Sequence, residues 1–294
     1  MKKKILILTI CFVFVFVFSG CSERYKRISF EDEMTRSLDK YIDGETEVIY
    51  NENAEFPTQL PIYEISKRNI TQYEFKQMLK NLNVTAHADQ FEHKENKIIG
   101  NWVPYTDRTR EDFEMSDEDL EKLAWGTFEK IPFLSGDYRY QGIKSDLTIS
   151  DSEGTHVRRV GVSFRRYLND LRILGNDRCM LYFDAHGLCE IVIELYEYKE
   201  IDTMDLIKFD EAFAKIKEPD YFSLKNEDIN QLKAYETLRT DDVRLFWYNQ
   251  YLNECTILQP VYVFTGTALG EACQESEFTA HVIAIPESYT YKAN

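Results

Sequence analysis

Apolar positions repeat at helical spacing in three segments of the chain. Thr71 and Glu74 are placed as a capping box, and apolar side chains follow at intervals of three and four residues, which predicts a helix over residues 72–82. A second helix begins after Ser116 and ends before the next proline. A third, shorter helix is predicted over residues 209–217.

Short apolar or alternating runs predict strands, one before the first helix and the rest after the second. They cover residues 60–65, 157–164, 171–174, 178–183, 188–195, 244–248, 258–265 and 278–285. Short turns, rather than helical crossovers, join most of them, which is typical of antiparallel pairing. The sequence therefore predicts an α+β fold in which helices pack on curled antiparallel sheets. Residues 83–115 and 223–240 are assigned to no element.

The first 22 residues have the pattern of an export signal. Three lysines follow Met1, and a nearly all-apolar run extends from Ile5 to Phe18. This run is shorter than the roughly 20 residues that a membrane-spanning helix needs, and it fits the apolar region of a signal peptide. An uncleaved N-terminal anchor is the alternative interpretation. No later apolar stretch of the sequence reaches membrane length.

The residues that close this run, Phe18-Ser19-Gly20-Cys21, resemble the lipobox of bacterial lipoproteins, in which an aliphatic residue is more usual than Phe18. The resemblance implies cleavage before Cys21 and a diacylglycerol on its thiol, and two acyl chains suffice for stable anchoring. The alternative is an ordinary thiol beside a conventional cleavage site. We therefore expect residues 1–20 to be a signal peptide and 21–55 a polar tether. The lipid on Cys21 would hold the body at the extracytoplasmic face of the cell membrane.

The chain is strongly acidic, with 51 Asp and Glu against 35 Lys and Arg and a net charge of −16. This balance argues against direct binding to nucleic acid, because phosphates require Lys and Arg. The one basic concentration consists of Arg158, Arg159, Arg165 and Arg166. These arginines either form salt bridges with neighbouring acids or bind an acidic partner or anionic ligand, and they are the candidate partner-binding residues.

The segment 169–195 resembles the strand and hairpin of PepSY-type and protease-propeptide-type domains, and the related domains of YycH/YycI-type regulatory proteins. An Asn-Asp lead precedes a short strand, and an Asp-Ala-His-Gly turn separates the two strands that follow. The family pattern has glycine where this chain has Asp170. The resemblance carries over no catalytic residue and implies a regulatory or inhibitory binding function.

Residues 209–216, 258–264 and 280–286 resemble the C-terminal half of the same architecture. Residues 116–205 and 206–294 could therefore be two PepSY-like α+β units that follow a strand–helix segment over residues 56–115. Direct similarity between the two units is weak, so the duplication is left open.

Of the six cysteines, one would leave with the signal peptide and Cys21 would carry the lipid. The other four allow three pairings: Cys179, Cys189, Cys255 and Cys273. Placing Phe183 opposite Leu188 in the predicted hairpin puts Cys179 and Cys189 on opposite faces, which disfavours a bridge between them. Long-range bridges and free buried thiols both stay open.

The sequence contains no recognised nucleophile, zinc or phosphate-loop motif. Glu194, Glu197 and Glu200 could act as paired carboxylates, but a solvated strand face is the simpler interpretation. The spacing of His87 and His93 matches no helix face, so no metal is expected. Three tryptophans could line a glycan or peptide groove: Trp102, Trp125 and Trp247. No catalytic residue and no cofactor is assigned.

These observations predict a membrane-anchored extracytoplasmic lipoprotein. It would act without catalysis, as a binding or regulatory module for another envelope protein, and would bind no nucleic acid. One alternative is a lipoprotein that binds a peptide or a glycan. The other is a hydrolase with an unrecognised site, in which two acids or an acid and His281 would react.

Overall fold

The computed structural model describes most of the chain after residue 55, together with short segments before it. The described residues are 25–26, 47–50, 55–84, 91–101, 111–134, 136–151, 154–224, 235–249, 256–270, 275–286 and 290–291. Cys21, Cys255, Cys273, His87 and Trp102 lie outside them.

The described residues form three short α-helices and sixteen strands. The helices are α1 (Gln72–Asn81), α2 (Asp117–Phe128) and α3 (Phe209–Ala214), the last continued by a 3-10 turn over Lys215–Lys217. The strands are β1 (Tyr25–Lys26), β2 (Glu47–Tyr50), β3 (Gln59–Lys67), β4 (Phe91–Lys94), β5 (Lys97–Asn101), β6 (Tyr138–Asp151), β7 (Gly154–Leu168), β8 (Leu171–Gly175), β9 (Arg178–Asp184), β10 (Gly187–Glu194), β11 (Tyr196–Asp205), β12 (Tyr221–Leu224), β13 (Thr237–Asn249), β14 (Ile257–Leu269), β15 (Glu275–Ile283) and β16 (Thr290–Tyr291).

The three predicted helices are confirmed, and their caps explain where they begin. The hydroxyl of Thr71 accepts a hydrogen bond from the backbone N–H of Glu74 at 3.2 Å, and the Glu74 carboxylate accepts one from the N–H of Thr71 at 2.8 Å. Ser116 caps α2 through the N–H of Asp119 at 3.2 Å. These contacts satisfy backbone donors that a helix start leaves without partners.

Fourteen strands form one mixed sheet. Its main path runs β11-β3-β14-β13-β8-β7-β9-β10-β5-β4, while β6 pairs with β7, β2 with β13, β15 with β14 and β12 with β15. The remaining two strands, β1 and β16, pair in parallel with each other. Most pairs in the large sheet are antiparallel, but β2 and β8 both lie parallel to β13.

Two hydrophobic cores lie along this sheet. In the first, Leu120 and Phe128 of α2 pack with strand residues such as Val162, Phe164 and Leu181. In the second, β3, β11, β13, β14 and β15 pack around α3, with Trp247 and Tyr262 fully buried. Burial of aromatic and aliphatic side chains is the main stabilising contribution in each core.

The strand β8 joins the two halves of the sheet through few residue pairs. It pairs with β7 at two positions and with β13 at three, the last of which sets Gly175 beside Asn249. Gly175 has a φ of +90°, and a Cβ atom on it would lie 2.2 Å from the carbonyl oxygen of Asn249. Only glycine accepts both this φ and this close approach without strain.

The predicted α+β class is wrong, because the described chain is predominantly β-sheet. The large sheet is mixed rather than antiparallel, and strands supply most of both cores. Strands β6 and β11 were missed because their sequences are rich in charged and polar residues, and β2, β4, β5 and β12 because they are only four or five residues long and lie in segments without a clear apolar pattern. The two PepSY-like units are not separate either, since β11 falls within residues 116–205 but pairs with β3 and packs in the second core.

The predicted hairpin is confirmed, with Phe183 opposite Leu188. A bulge at Cys189 then shifts the register by one residue, so that Cys179 lies opposite Ile193 rather than Val192. Both cysteines are buried and neither forms a disulfide, so they do not bridge each other, and of the two possibilities that the sequence left open for them they are free buried thiols. Burial raises the pKa of the Cys179 thiol.

We predict that Gly175→Ala lowers the free energy of unfolding by about 2 kcal/mol or more, because the new Cβ atom collides with Asn249 and the residue must keep a positive φ. Gly126→Ala is the matched control. Gly126 lies inside α2 with no atom within 4 Å of the added Cβ, so this change should stabilise by about 0.5–1 kcal/mol. Urea unfolding of both variants measures the difference, and equal effects would refute the assigned role of Gly175.

Candidate functional site

The strand β7 carries all four predicted partner-binding arginines but separates them. Arg166 lies opposite Tyr138, on the face that packs against the first core. Arg158 also reaches the α2 side, where its guanidinium contacts Asp112 just before that helix. Arg159 and Arg165 alternate with the buried residues of β7 and point to the opposite face. The four arginines therefore do not form one patch.

Three of the four arginines form ion pairs within the chain. Arg158 lies 2.7 Å from Asp112, and Arg159 lies 2.5 Å from Glu190 while it stacks over the Tyr182 ring at 4.8 Å. Arg166 donates to the carbonyl oxygen of Tyr196 at 2.7 Å. For these three, salt bridging and internal hydrogen bonding describe the observed contacts.

The fourth, Arg165, belongs to a different group, which we call the arginine cluster: Arg165, Arg172 and Arg178. Arg165 lies directly opposite Arg178 of β9, and Arg172 of β8 lies opposite Tyr167, so all three share one face of the sheet. Residues directly opposite each other on antiparallel strands have Cβ atoms about 4.5–5.5 Å apart. The cluster is therefore set by strand register across β7, β8 and β9.

The cluster makes no ion pair in the part of the chain that the structure describes. Arg165 donates to the carbonyl oxygen of Gly175 at 2.8 Å, and Arg172 donates to the amide oxygen of Gln141 at 2.8 Å and lies over the Phe246 ring at 4.7 Å. The Nε atom of Arg178 has no hydrogen-bond acceptor there. Among the described residues, these three partly buried guanidinium groups therefore have no ion-pair partner, although the charge of Asp177 acts on Arg165.

The electrostatics of the cluster are unfavourable to the isolated chain. Burial, and then the positive charges of Arg178 and Arg172, lower the pKa of Arg165. Burial also lowers the pKa of Arg172, and nearby Arg244 adds to that effect. Like charges placed opposite each other destabilise a sheet, so this arrangement can be stabilised by an external group with negative charge.

Two further arginines border the cluster, each with an acid of its own. Arg139 lies opposite Arg165, stacks over the Tyr167 ring at 4.2 Å and lies 2.5 Å from the exposed Asp170. Arg244 lies 2.7 Å from Asp242. The sequence did not predict Arg139, Arg172 and Arg178 as site residues, because only the register of β6, β8 and β9 against β7 brings them to Arg165.

We predict that Arg178→Gln raises the free energy of unfolding by a few tenths of a kcal/mol up to about 1 kcal/mol, because it removes one of two opposed positive charges. Arg159→Gln is the control, since it breaks an ion pair with Glu190 and should destabilise. Urea unfolding at low ionic strength measures both. A destabilised Arg178→Gln protein would show that this arginine is a structural residue.

A buried carboxylate lies near the cluster, between the two cores. Asp177 follows β8 and has no exposed surface. The Tyr138 hydroxyl donates to its Oδ1 atom, whereas the Oδ2 atom has no hydrogen-bond donor among the described residues and lies 3.7 Å from Arg166. The Tyr198 hydroxyl also lies near the carboxylate and accepts a hydrogen bond from Asn249 at 2.9 Å.

Burial raises the pKa of Asp177 to about 6, although the Tyr138 hydrogen bond and the Arg166 charge both act to lower it. The same burial and the Asp177 charge hold the pKa values of Tyr138 and Tyr198 well above their usual range. Because the folded protein favours the protonated form of Asp177, this residue contributes its full stabilisation below about pH 4, where the carboxyl is protonated in both the folded and the unfolded state. That stabilisation is lost as the pH rises through about 6, the pKa in the folded protein.

We predict that Asp177→Asn gains stability relative to the natural protein as the pH rises from about 4 to about 7, above which the difference stays constant because Asp177 is then ionised in both the folded and the unfolded state. A difference of about two pKa units corresponds to about 3 kcal/mol. Burial lowers the pKa of His281 from 6.5 to about 4, so folding favours the neutral imidazole. Its contribution to stability therefore rises with pH between these two values, opposite to that of Asp177. The comparison with Asp177→Asn cancels that effect because both proteins keep His281. Urea unfolding at several pH values tests this, and a difference independent of pH would contradict it.

The other candidate residues are dispersed. Trp247 is fully buried with its indole N–H on the Leu168 carbonyl oxygen at 3.1 Å, and Trp125 packs edge-on against Phe164 at 5.0 Å. Trp247 has no exposed surface and therefore lines no open groove. Glu194 is buried and accepts from the Tyr196 hydroxyl at 2.7 Å, whereas Glu197 and Glu200 are exposed on β11. The described residues contain no group of three or more His, Cys, Asp or Glu side chains placed to hold a metal.

No protein-family model matches the chain, and no curated protein matches it either. Within the described segments, every helix is too short or too polar to cross a membrane.

Proposed function

We propose that this protein is a lipid-anchored extracytoplasmic lipoprotein that binds an acidic surface of another envelope protein. The observation that carries the proposal is the arginine cluster, in which three guanidinium groups of an acidic chain meet without a carboxylate partner in the described structure. An acidic partner would neutralise this charge. Buried or half-buried arginines that pair with carboxylates are common at protein interfaces.

The anchor and the cluster have separate roles in this proposal. The lipobox-like residues Phe18 to Cys21 support attachment to the membrane. The cluster supports recognition, because complementary charge speeds association and selects partners. Anchoring both proteins in one membrane would raise their effective concentration, so a weak contact would be enough. In this proposal the protein needs no catalytic residue of its own.

The anchor is tested by Cys21→Ala, which should abolish acylation and the cleavage that depends on it. Without two acyl chains the variant should leave the membrane fraction or remain as an uncleaved precursor. Metabolic labelling with a fatty acid and membrane fractionation measure this. A mature-length variant that still fractionates with membranes would contradict the lipoprotein assignment.

The cluster is tested by a triple variant, Arg165→Gln, Arg172→Gln and Arg178→Gln. The matched control is Lys76→Gln, Lys122→Gln and Lys130→Gln, which changes the net charge equally but lies at exposed positions on or beside α1 and α2. Crosslinking in native membranes should lose the partner with the arginine variant and retain it with the lysine variant.

The crosslinked partner, once purified, should bind the natural chain more weakly as the salt concentration rises, because charge carries the contact. The arginine variant should bind at least about tenfold more weakly than the lysine variant. Equal binding by the two variants would refute the cluster as the recognition surface, whatever the result for the anchor.

A further inference from the structure

The strand β11 lies at one end of the path of the large sheet. It pairs with β3, and no other described strand pairs with it. An edge strand presents backbone N–H and C=O groups to which an extended segment of another protein can hydrogen-bond. The edge of β11 therefore offers a place for an added strand, provided that its outward backbone groups are open.

The register of β11 against β3 shows which backbone groups point outward. Just before β11, Arg68 donates its backbone N–H to the carbonyl oxygen of Leu195 at 3.3 Å, so these two residues form a hydrogen-bonded pair. Hydrogen-bonded and non-bonded pairs alternate along an antiparallel ladder. Glu197 and Lys199 therefore bond to β3. The alternate residues direct both backbone groups away from β3: Tyr196, Tyr198 and Glu200.

Contacts of neighbouring residues agree with this assignment. Ile65, which lies opposite Tyr198, donates its backbone N–H to Thr256 on the side of β14 at 2.7 Å, and so does not bond to β11 through that group. Arg166 of β7 donates to the carbonyl oxygen of Tyr196 at 2.7 Å, which is a group that the alternation directs away from β3.

Two side chains close the ends of this edge. Arg166 occupies the carbonyl oxygen at the start of β11. Beyond the bulge, the Asp202 carboxylate accepts a hydrogen bond from the backbone N–H of Thr203 at 2.8 Å. Within the described structure, two residues between these closed ends keep outward backbone groups with no strand beside them: Tyr198 and Glu200.

The side chains around this open stretch are exposed and mainly acidic. Glu197, Lys199 and Glu200 are all exposed. Lys199 lies directly opposite Glu64 of β3, which offsets its charge. Neither Glu197 nor Glu200 forms an ion pair with another described residue. These two carboxylates point to opposite faces of the strand, because successive side chains alternate. A complementary strand would carry positive charge on both of its faces.

We infer that the edge of β11 binds an extended basic segment of another protein by strand addition. The segment hydrogen-bonds to the backbone of Tyr198 and Glu200, and its Lys or Arg side chains lie beside Glu197 and Glu200. Backbone hydrogen bonds give the affinity, and the charges select the partner. The edge shares no residue with the arginine cluster and attracts the opposite charge, so this inference does not depend on the proposed function.

The test is fluorescence anisotropy of labelled peptides with the full chain in mild detergent. The probe is Val-Lys-Lys-Val-Lys-Lys-Val-amide, which has lysines on both faces of a strand. Its matched control carries N-methyl groups on the three central residues, which removes their hydrogen-bond donors and keeps the charge. Because the chain has a net charge of −16, it attracts any basic peptide, and only the difference between the two peptides reports strand addition. We expect saturable binding of the probe and at least about tenfold weaker binding of the control.

The double variant Glu197→Gln and Glu200→Gln should bind the probe about threefold more weakly or less, because it removes two exposed charge pairs. The matched control is Glu129→Gln with Glu218→Gln, which changes the net charge equally at exposed positions outside β11. This control should keep the affinity of the natural chain, and circular dichroism verifies that each variant is folded.

Amide hydrogen exchange locates the site. The backbone N–H groups of Tyr198 and Glu200 should exchange more slowly when the probe is bound, because they gain hydrogen-bond partners. Those of Glu197 and Lys199 should be unchanged, because they already bond to β3.

Four results would overturn the inference. They are equal affinity for the two peptides, equal affinity of the two double variants for the probe, unchanged exchange at Tyr198 and Glu200 in the saturated protein, and no saturation by the probe up to about 1 mM.

Discussion

The carboxylate of Asp177 lies without exposed surface between the two hydrophobic cores, and groups from both cores approach it. Tyr138 belongs to the first core, while Tyr198 packs against the second and is hydrogen-bonded to Asn249 of β13. Burial of an acid is costly unless it is hydrogen-bonded or neutralised. The two halves of the sheet must therefore meet with Tyr138 and Tyr198 beside the Asp177 carboxylate. The strand β8 joins these halves through its pairs with β7 and β13.

The distribution of positive charge follows from the same geometry. Arg166 faces the buried carboxylate, and Arg158 and Arg159 meet acids on neighbouring segments. Arg165 turns to the other face of β7, where β8 and β9 present Arg172 and Arg178. Natural sheets avoid opposed like charges unless another requirement outweighs the cost. The cost in stability and the proposed recognition of an acidic surface thus arise from the same three side chains.

Local signals in the sequence predicted local structure well. The capping box at Thr71 fixed the start of α1, and the alternation of Val160, Val162 and Phe164 located β7. Asn169 and Asp170 both adopt positive φ in the turn between β7 and β8, although neither is glycine.

Features that depend on pairing between distant segments were not predictable. β6 and β11 carry polar residues on both faces and show no clear alternation, so the extent of the sheet was missed and the fold class was wrong. The bulge at Cys189 has no signature in the sequence. The arginine cluster and the contacts of Asp177 depend on register among strands far apart in the chain.

The entry of the chain into the sheet has a mechanical consequence. β2 lies parallel to β13 at Thr237–Thr240, and β8 lies parallel to the same strand at Trp247–Asn249. A pull on the chain before β2 therefore acts on β13 through four residue pairs, as well as on β3 through the backbone that continues to it. Since β13 also pairs with β8 at three positions, one strand is hydrogen-bonded both to the segment where the chain enters the large sheet and to the strand that holds Arg172.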